Sequence, residues 1–218
     1  MSTHFNQIDY YLNELEKQDP YYQPGYFWKE ALAEISKSFI KSGLSSFRKE
    51  HINLKFFVPT YGYLGNGLEN DLIDSFFKCL EPSTTLKQKK FTKLWLDGSM
   101  HALADYRTFI ASNYRTDNFN LLKFSESNVG KPIEHFKFNG NFFSRSSLNY
   151  LLGLSYLKTV APHFVPQKIL EIGGGFGTMG EIIYKSNIKD FRYINLDLPP
   201  MFIIAREYLK FSTKENEV

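Results

Sequence analysis

The stretch from 168 to 200, KILEIGGGFGTMGEIIYKSNIKDFRYINLDLPP, constrains this chain more than any other. Four of the five residues from Gly173 to Gly177 are glycine. KILEI before them reads as a short apolar strand, and TMGEIIYKS after them as a helix. FRYINLD, rich in aromatic and β-branched residues, reads as a second strand. PPMFIIAREYLKFS reads as a second helix, opened by prolines that a first turn tolerates. A β-α-β-α order predicts a parallel sheet with right-handed crossovers. The turn between the first strand and helix is one where backbone can approach a small ligand closely.

Two templates compete for that turn. GFGTMG, Gly175 to Gly180, fits the dinucleotide fingerprint G-x-G-x-x-G. There the strand should end just before the first glycine, whereas Gly173 and Gly174 intervene after Ile172. EIGGGFG fits [D/E]-x-G-x-G-x-G, with Glu171, Gly173, Gly175 and Gly177 at the fixed positions. That is the first motif of S-adenosylmethionine (SAM)-dependent methyltransferases. SAM gives Glu171 a purpose, because its methionine end carries an ammonium and a sulfonium that a carboxylate can contact. Asp197 ends the second strand, 20 residues after Gly177, and serves both templates. A carboxylate there can accept from ribose hydroxyls, and Leu198 beside it can pack on adenine. A turn built only for strand–helix packing, with Asp197 as a helix N-cap, explains each feature separately but not their joint spacing.

The first 125 residues read as a helical region. FNQIDYYLNELEKQ carries Phe5, Ile8, Tyr11, Leu12 and Leu15 at helical spacing, and Asp19-Pro20 ends it. YFWKEALAEISKSFIKS repeats the pattern with Phe27, Ala31, Ile35 and Phe39, and Gly43 is its expected C-cap. FFVPTYGYLGNG is a loop containing Pro59. Helices resume at LENDLIDSFFKCL and run, with a break near Asp97-Gly98, to about Tyr114. The single cysteine, Cys79, excludes an intramolecular disulfide and is expected in the core of its helix. LKQKKFTK, the strongest charge run, leaves a nucleic-acid or membrane contact open and is read in preference as a solvated helix face whose inner side is Leu86, Phe91 and Leu94.

Residues 126–218 form the second predicted part: a hairpin, a linker helix and a partial SAM-binding Rossmann-like domain. In HFKFNGNFF, Asn139-Gly140 between short apolar runs is a strong hairpin signal. Ser144 is the expected N-cap of the helix that Pro162 closes. Net charge is +3, too slight to imply nucleic acid. The 21 Phe and 14 Tyr are read as an aromatic-rich core. The N-terminus lacks a signal-peptide pattern, and no run has the length of a membrane span. A cytoplasmic protein is expected.

ILEIGGGFGTMGEIIY followed by YINLDLPPMFIIAREYL resembles the sugar O-methyltransferase family. VGKPIEHFKFNGNFFSRSSLNYLLGLSYL is similar to the segment that precedes the first motif in that family, which tends to have G-N-P where this chain has Gly130-Lys131-Pro132. The resemblance runs from about Val129 to Lys210 and is diffuse before it. It implies a class I, Rossmann-like fold with Glu171, Gly173, Gly174, Gly175, Gly177, Asp197 and Leu198 against SAM. It also implies a small-molecule or glycan hydroxyl as acceptor. Sheets of that family have more strands than the two present here. The expectation is therefore a C-terminally truncated domain whose open sheet edges invite self-association.

Methyl transfer to a hydroxyl needs in-line positioning and a base for the departing proton. None of His51, His101, His135 and His163 sits in a constellation that marks it, so no catalytic residue is assigned. No cysteine and histidine spacing suggests a metal. An NAD(P)-dependent oxidoreductase, and a catalytically inactive remnant or glycan-binding or partner-binding module, are the alternative readings.

Overall fold

The computed structural model describes residues 2–58, 61–80, 84–113 and 119–214. Pro59, Tyr114 and the side chain of Phe5, which figure in the sequence reading, lie outside the described residues. The described chain is mixed α/β, mostly helical, with two small sheets. It divides into two compact units. One comprises 1–57, 127–133 and 165–218, the other 58–126 and 134–164. Segments from both sides of residue 125 thus occur in each unit.

In the first unit, α1 (Ser2–Glu16) and α2 (Tyr26–Ser42) flank a short 3-10 turn, Pro20–Tyr22. Ala31, Ile35 and Phe39, spaced by four, form the buried stripe of α2, whereas Phe27 is exposed. Gly43 ends α2 as expected, its N–H donating to Phe39 O at 2.8 Å. A second 3-10 segment, Leu44–Lys49, leads into α3 (His51–Phe57). The 127–133 segment is tied to it by the Arg48 N–H donating to Gly130 O at 2.9 Å. The unit is completed by β3 (Lys168–Ile172), α8 (Thr178–Lys185), β4 (Arg192–Leu196) and α9 (Met201–Lys214). β3 and β4 pair in parallel, with Leu170 opposite Ile194 and Glu171 opposite Asn195. Pro199 and Pro200, joined by a cis peptide bond, precede α9 instead of lying in its first turn. The Pro200 carbonyl accepts from the N–H groups of Ile203 and Ile204, both at 3.0 Å.

The second unit holds α4 (Asn70–Lys78), α5 (Leu86–Leu96) and α6 (Ser99–Ser112). It also holds the hairpin β1 (Phe136–Phe138) and β2 (Asn141–Phe143), then α7 (Arg145–Val160). Asn139 and Gly140 turn the hairpin with φ of 50° and 88°, the pair of positive values that a two-residue type I′ turn requires. Ser144 caps α7 in a reciprocal capping box with Ser147. α6 packs along α7. The buried Lys158 ammonium donates to Phe119 O at 2.8 Å and to Asn113 Oδ1 at 3.1 Å.

Two expectations for this unit fail. Cys79 is exposed. α4 ends at Lys78 and buries Ile73, so Cys79 falls at the C-cap, past the turn that faces the core. Leu86, Phe91 and Leu94 do not form an inner side: they are 87%, 60% and 38% exposed. Leu96 is the buried residue of α5, so the helix rests on its C-terminal end and turns its other apolar side chains outward. The aromatic core is present in part. Phe47, Phe109, Phe124, Phe143 and Tyr208 are buried, while Tyr21, Tyr22, Tyr26, Tyr63 and Tyr156 are well exposed.

Candidate functional site

The glycine turn joins β3 to α8 inside the first unit. Alternation along the two strands sorts their side chains. Leu170, Ile172, Ile194 and Leu196 are exposed on one face. Ile169, Glu171, Tyr193 and Asn195 occupy the other and are half-buried. α8 covers that second face closely. A Cβ on Gly180 would lie 2.7 Å from the Tyr193 ring, so only glycine lets the helix approach the strand so nearly.

The ladder extends one residue beyond β3, where the Gly173 N–H donates to Leu196 O at 2.8 Å. The chain then turns through Gly173 to Gly177, and α8 begins with Gly177 as its N-cap. Asp197 fastens the turn from the end of β4. Its carboxylate accepts from the Gly175 N–H at 3.0 Å and from the Leu198 N–H at 2.7 Å. The structure thus brings Glu171, the four glycines, Asp197 and Leu198 together around one strand–turn–helix corner.

The glycines of this corner differ in what they provide. Gly174 has no room for a side chain: a Cβ there would stand 2.6 Å from Asn195 Oδ1 and 2.7 Å from Glu171 Oε2. Its space is taken by the protein's own polar side chains. Gly175 has room, with only Phe57 Cδ1 at 3.5 Å from its Cβ position, but its φ is +55°, a value that an L side chain adopts at a cost.

Glu171 and Asp197 differ as well. Glu171 Oε2 accepts a short hydrogen bond from the Tyr193 hydroxyl. Burial pushes the Asp197 carboxyl above the ordinary aspartate range; its two N–H donors act against that shift, and the Glu171 charge adds to it. Beside them, both polar atoms of the Asn195 amide are buried without a hydrogen-bond partner. Such an orphaned amide costs stability unless a ligand or water meets it.

Phe176, which the sequence motif leaves unspecified, anchors the turn. Its ring stacks on Phe57 at 4.2 Å and packs edge-on to Phe47 at 5.7 Å. The buried Arg48 guanidinium lies over it at 5.0 Å. Beneath it the Tyr208 hydroxyl donates to Glu181 Oε2 at 2.6 Å, and Glu181 Oε1 accepts from the Ser127 N–H at 2.9 Å. Lys185 pairs with Glu181 at 2.7 Å. Arg48 is 160 positions from Tyr208, and sequence spacing carries no signal for such a contact. The apolar run around Glu181 in GEIIY was the one local hint that this carboxylate is buried.

Of the histidines, His135 lies 3.4 Å from Glu126 in the second unit, and His101 and His163 are exposed. Among the described residues, no three histidine, cysteine or acidic side chains are grouped to hold a metal ion. No helix among them is long and apolar enough to cross a membrane. Comparison with protein-family models, with curated proteins and with solved structures returned no match.

Proposed function

We propose that this chain carries the SAM-binding corner of a cytoplasmic O-methyltransferase of the sugar O-methyltransferase family, acting on a small-molecule or glycan hydroxyl. The observation that carries the reading is the placement of two carboxylates around one glycine turn. Glu171 lies on β3 and Asp197 at the end of the paired β4, fastened to Gly175. The residues fit the cofactor. Gly173 and Gly175 leave open space for a ligand to approach the backbone. Carboxylate oxygens already bonded to N–H groups retain lone pairs for ribose hydroxyls or an ammonium.

When bound, the cofactor supplies an electrophilic methyl group on a sulfonium. The protein's part would be positional: Asp197 and Leu198 would hold the ribose and adenine end of the ligand and Glu171 its methionine end. Tyr193 orients the Glu171 carboxylate through its hydroxyl. The acceptor hydroxyl would also have to lose its proton, to a base or to water.

A second reading, an NAD(P)-dependent oxidoreductase, is favoured by one observation. Gly180 permits close helix–strand packing, the role of the third glycine in a dinucleotide fingerprint. Glu171 weighs against it, because a carboxylate beside the turn would repel a pyrophosphate. Calorimetric titration with SAM and, separately, with NAD distinguishes the two. Heat of binding with SAM alone supports the methyltransferase reading; heat with NAD alone replaces it with the second.

A further inference from the structure

The outer surface of α5 combines cations and large apolar side chains that the second unit leaves in water. Leu86, Phe91, Leu94 and Trp95 are all exposed, Trp95 by 43%. Lys87, Lys90 and Lys93 are exposed among them. A helix advances by about 100° per residue. On that spacing Leu94 and Lys87 project from the centre of the exposed arc. Phe91 and Trp95 flank them on one side, Lys90 and Lys93 on the other, and Leu96 points back into the core. α4, packed beside α5, adds the exposed Leu72 and Phe76 one turn apart. It also carries Asp71 and Asp74, so the basic excess belongs to α5.

We propose that this face of α5 docks on an anionic lipid bilayer surface. Its charge selects a negative partner. Its Leu, Phe and Trp side chains need an apolar medium on the same side, which a nucleic-acid phosphate backbone does not offer. The boundary between headgroups and acyl chains offers both at once. Aromatic and aliphatic side chains enter it while lysines reach back to the phosphates. α5 has 11 residues, about 16 Å of helix, so it lies in the plane of the surface. The inference does not depend on the cofactor reading, because it concerns another unit and other residues.

The test is flotation of the full chain with vesicles of equal parts phosphatidylglycerol and phosphatidylcholine, against vesicles of phosphatidylcholine alone. The anionic vesicles should bind the protein, and binding should weaken as salt is raised. Lys87→Ala with Lys90→Ala should lower partitioning by about 25-fold. Phe91→Ala with Trp95→Ala should lower it by about tenfold or more. Lys87, Lys90 and Phe91 are well exposed and Trp95 is 43% exposed, so the variants should stay folded at the assay temperature, and a thermal melt of each shows that loss of binding does not reflect unfolding. Three results overturn the proposal: no binding to anionic vesicles, wild-type binding by both double variants, or retention on an oligonucleotide without vesicle binding.

Discussion

Gly174→Ala is the substitution whose cost follows most directly from the geometry. A new Cβ would meet Asn195 Oδ1 at 2.6 Å and Glu171 Oε2 at 2.7 Å. Real Cβ atoms do not sit so close, so the ends of both side chains must swing aside, the Glu171 carboxylate against its hydrogen bond from the Tyr193 hydroxyl. Overpacking of this kind costs about 1–3 kcal/mol. Reduced freedom of the unfolded chain returns about 0.4–1 kcal/mol. The net loss should be about 1–2 kcal/mol, or about 0.5–1 M in the urea midpoint for an m value near 2 kcal/mol/M. The Asn195 amide makes no hydrogen bond, so removing it sacrifices little. Asn195→Ala should therefore rescue part of the loss, and a double-mutant cycle should show coupling of about 0.5–1 kcal/mol. Gly175→Ala serves as the contrast: its cost comes from φ, at about 1–2 kcal/mol, and Asn195→Ala should not relieve it. Urea unfolding followed by circular dichroism measures all of these variants. A Gly174→Ala midpoint equal to wild type, or a cycle with no coupling, would refute the claim that Gly174 is glycine because two side chains fill its place.

Further outcomes follow from the same corner and its support. Tyr208→Phe removes the hydroxyl that donates to Glu181 and accepts from Arg48; a buried carboxylate left short of a donor costs about 1–3 kcal/mol, and the melting temperature should fall by several degrees. Burial raises the folded-state pKa of Asp197. Its ionisation therefore opposes folding: the favourable contribution is complete below the unfolded aspartate value and is lost as pH rises through the raised one. The stability of wild type relative to Asp197→Ala should decline over that window in thermal melts, and a rise would contradict the burial argument. Leu170, Ile172, Ile194 and Leu196 leave one face of the β3–β4 sheet apolar and exposed, Ile172 by 75%. Concentration-dependent self-association should appear in light scattering, and Ile172→Lys with Leu196→Lys should reduce it; a monomer at all concentrations would remove that expectation.

What the sequence disclosed was local. Asn139-Gly140 fixes a two-residue turn through its own backbone, and Ser144 caps a helix three residues from its partner Ser147. The strand–turn–helix around Gly173–Gly177 is equally short in range. So is the placement of Asp197 at the end of β4, which a single crossover connection dictates. The failures have one physical origin. Helical spacing shows that α5 has an apolar side, but not whether anything lies against it, and Leu86, Phe91 and Leu94 meet water. Cys79 belongs with them, because spacing does not mark where a helix ends either, and α4 stops at Lys78. The support of the turn, from Phe57 and Arg48 through Phe176 to Tyr208 and Glu181, joins residues far apart in the chain. Each of these residues taken singly is an ordinary core aromatic or a charged residue on a helix.

The central claim is that Glu171, the glycine turn and Asp197 form a SAM site. Calorimetric titration of the chain with SAM, in parallel with Asp197→Ala and Glu171→Ala, tests it most directly. The account predicts saturable binding to the wild-type chain. Each substitution removes a charge-assisted contact, so each should weaken binding by about 1.5–3 kcal/mol, or about tenfold to more than a hundredfold. No measurable heat with the folded wild-type chain, or affinities of both variants within twofold of wild type, would contradict it.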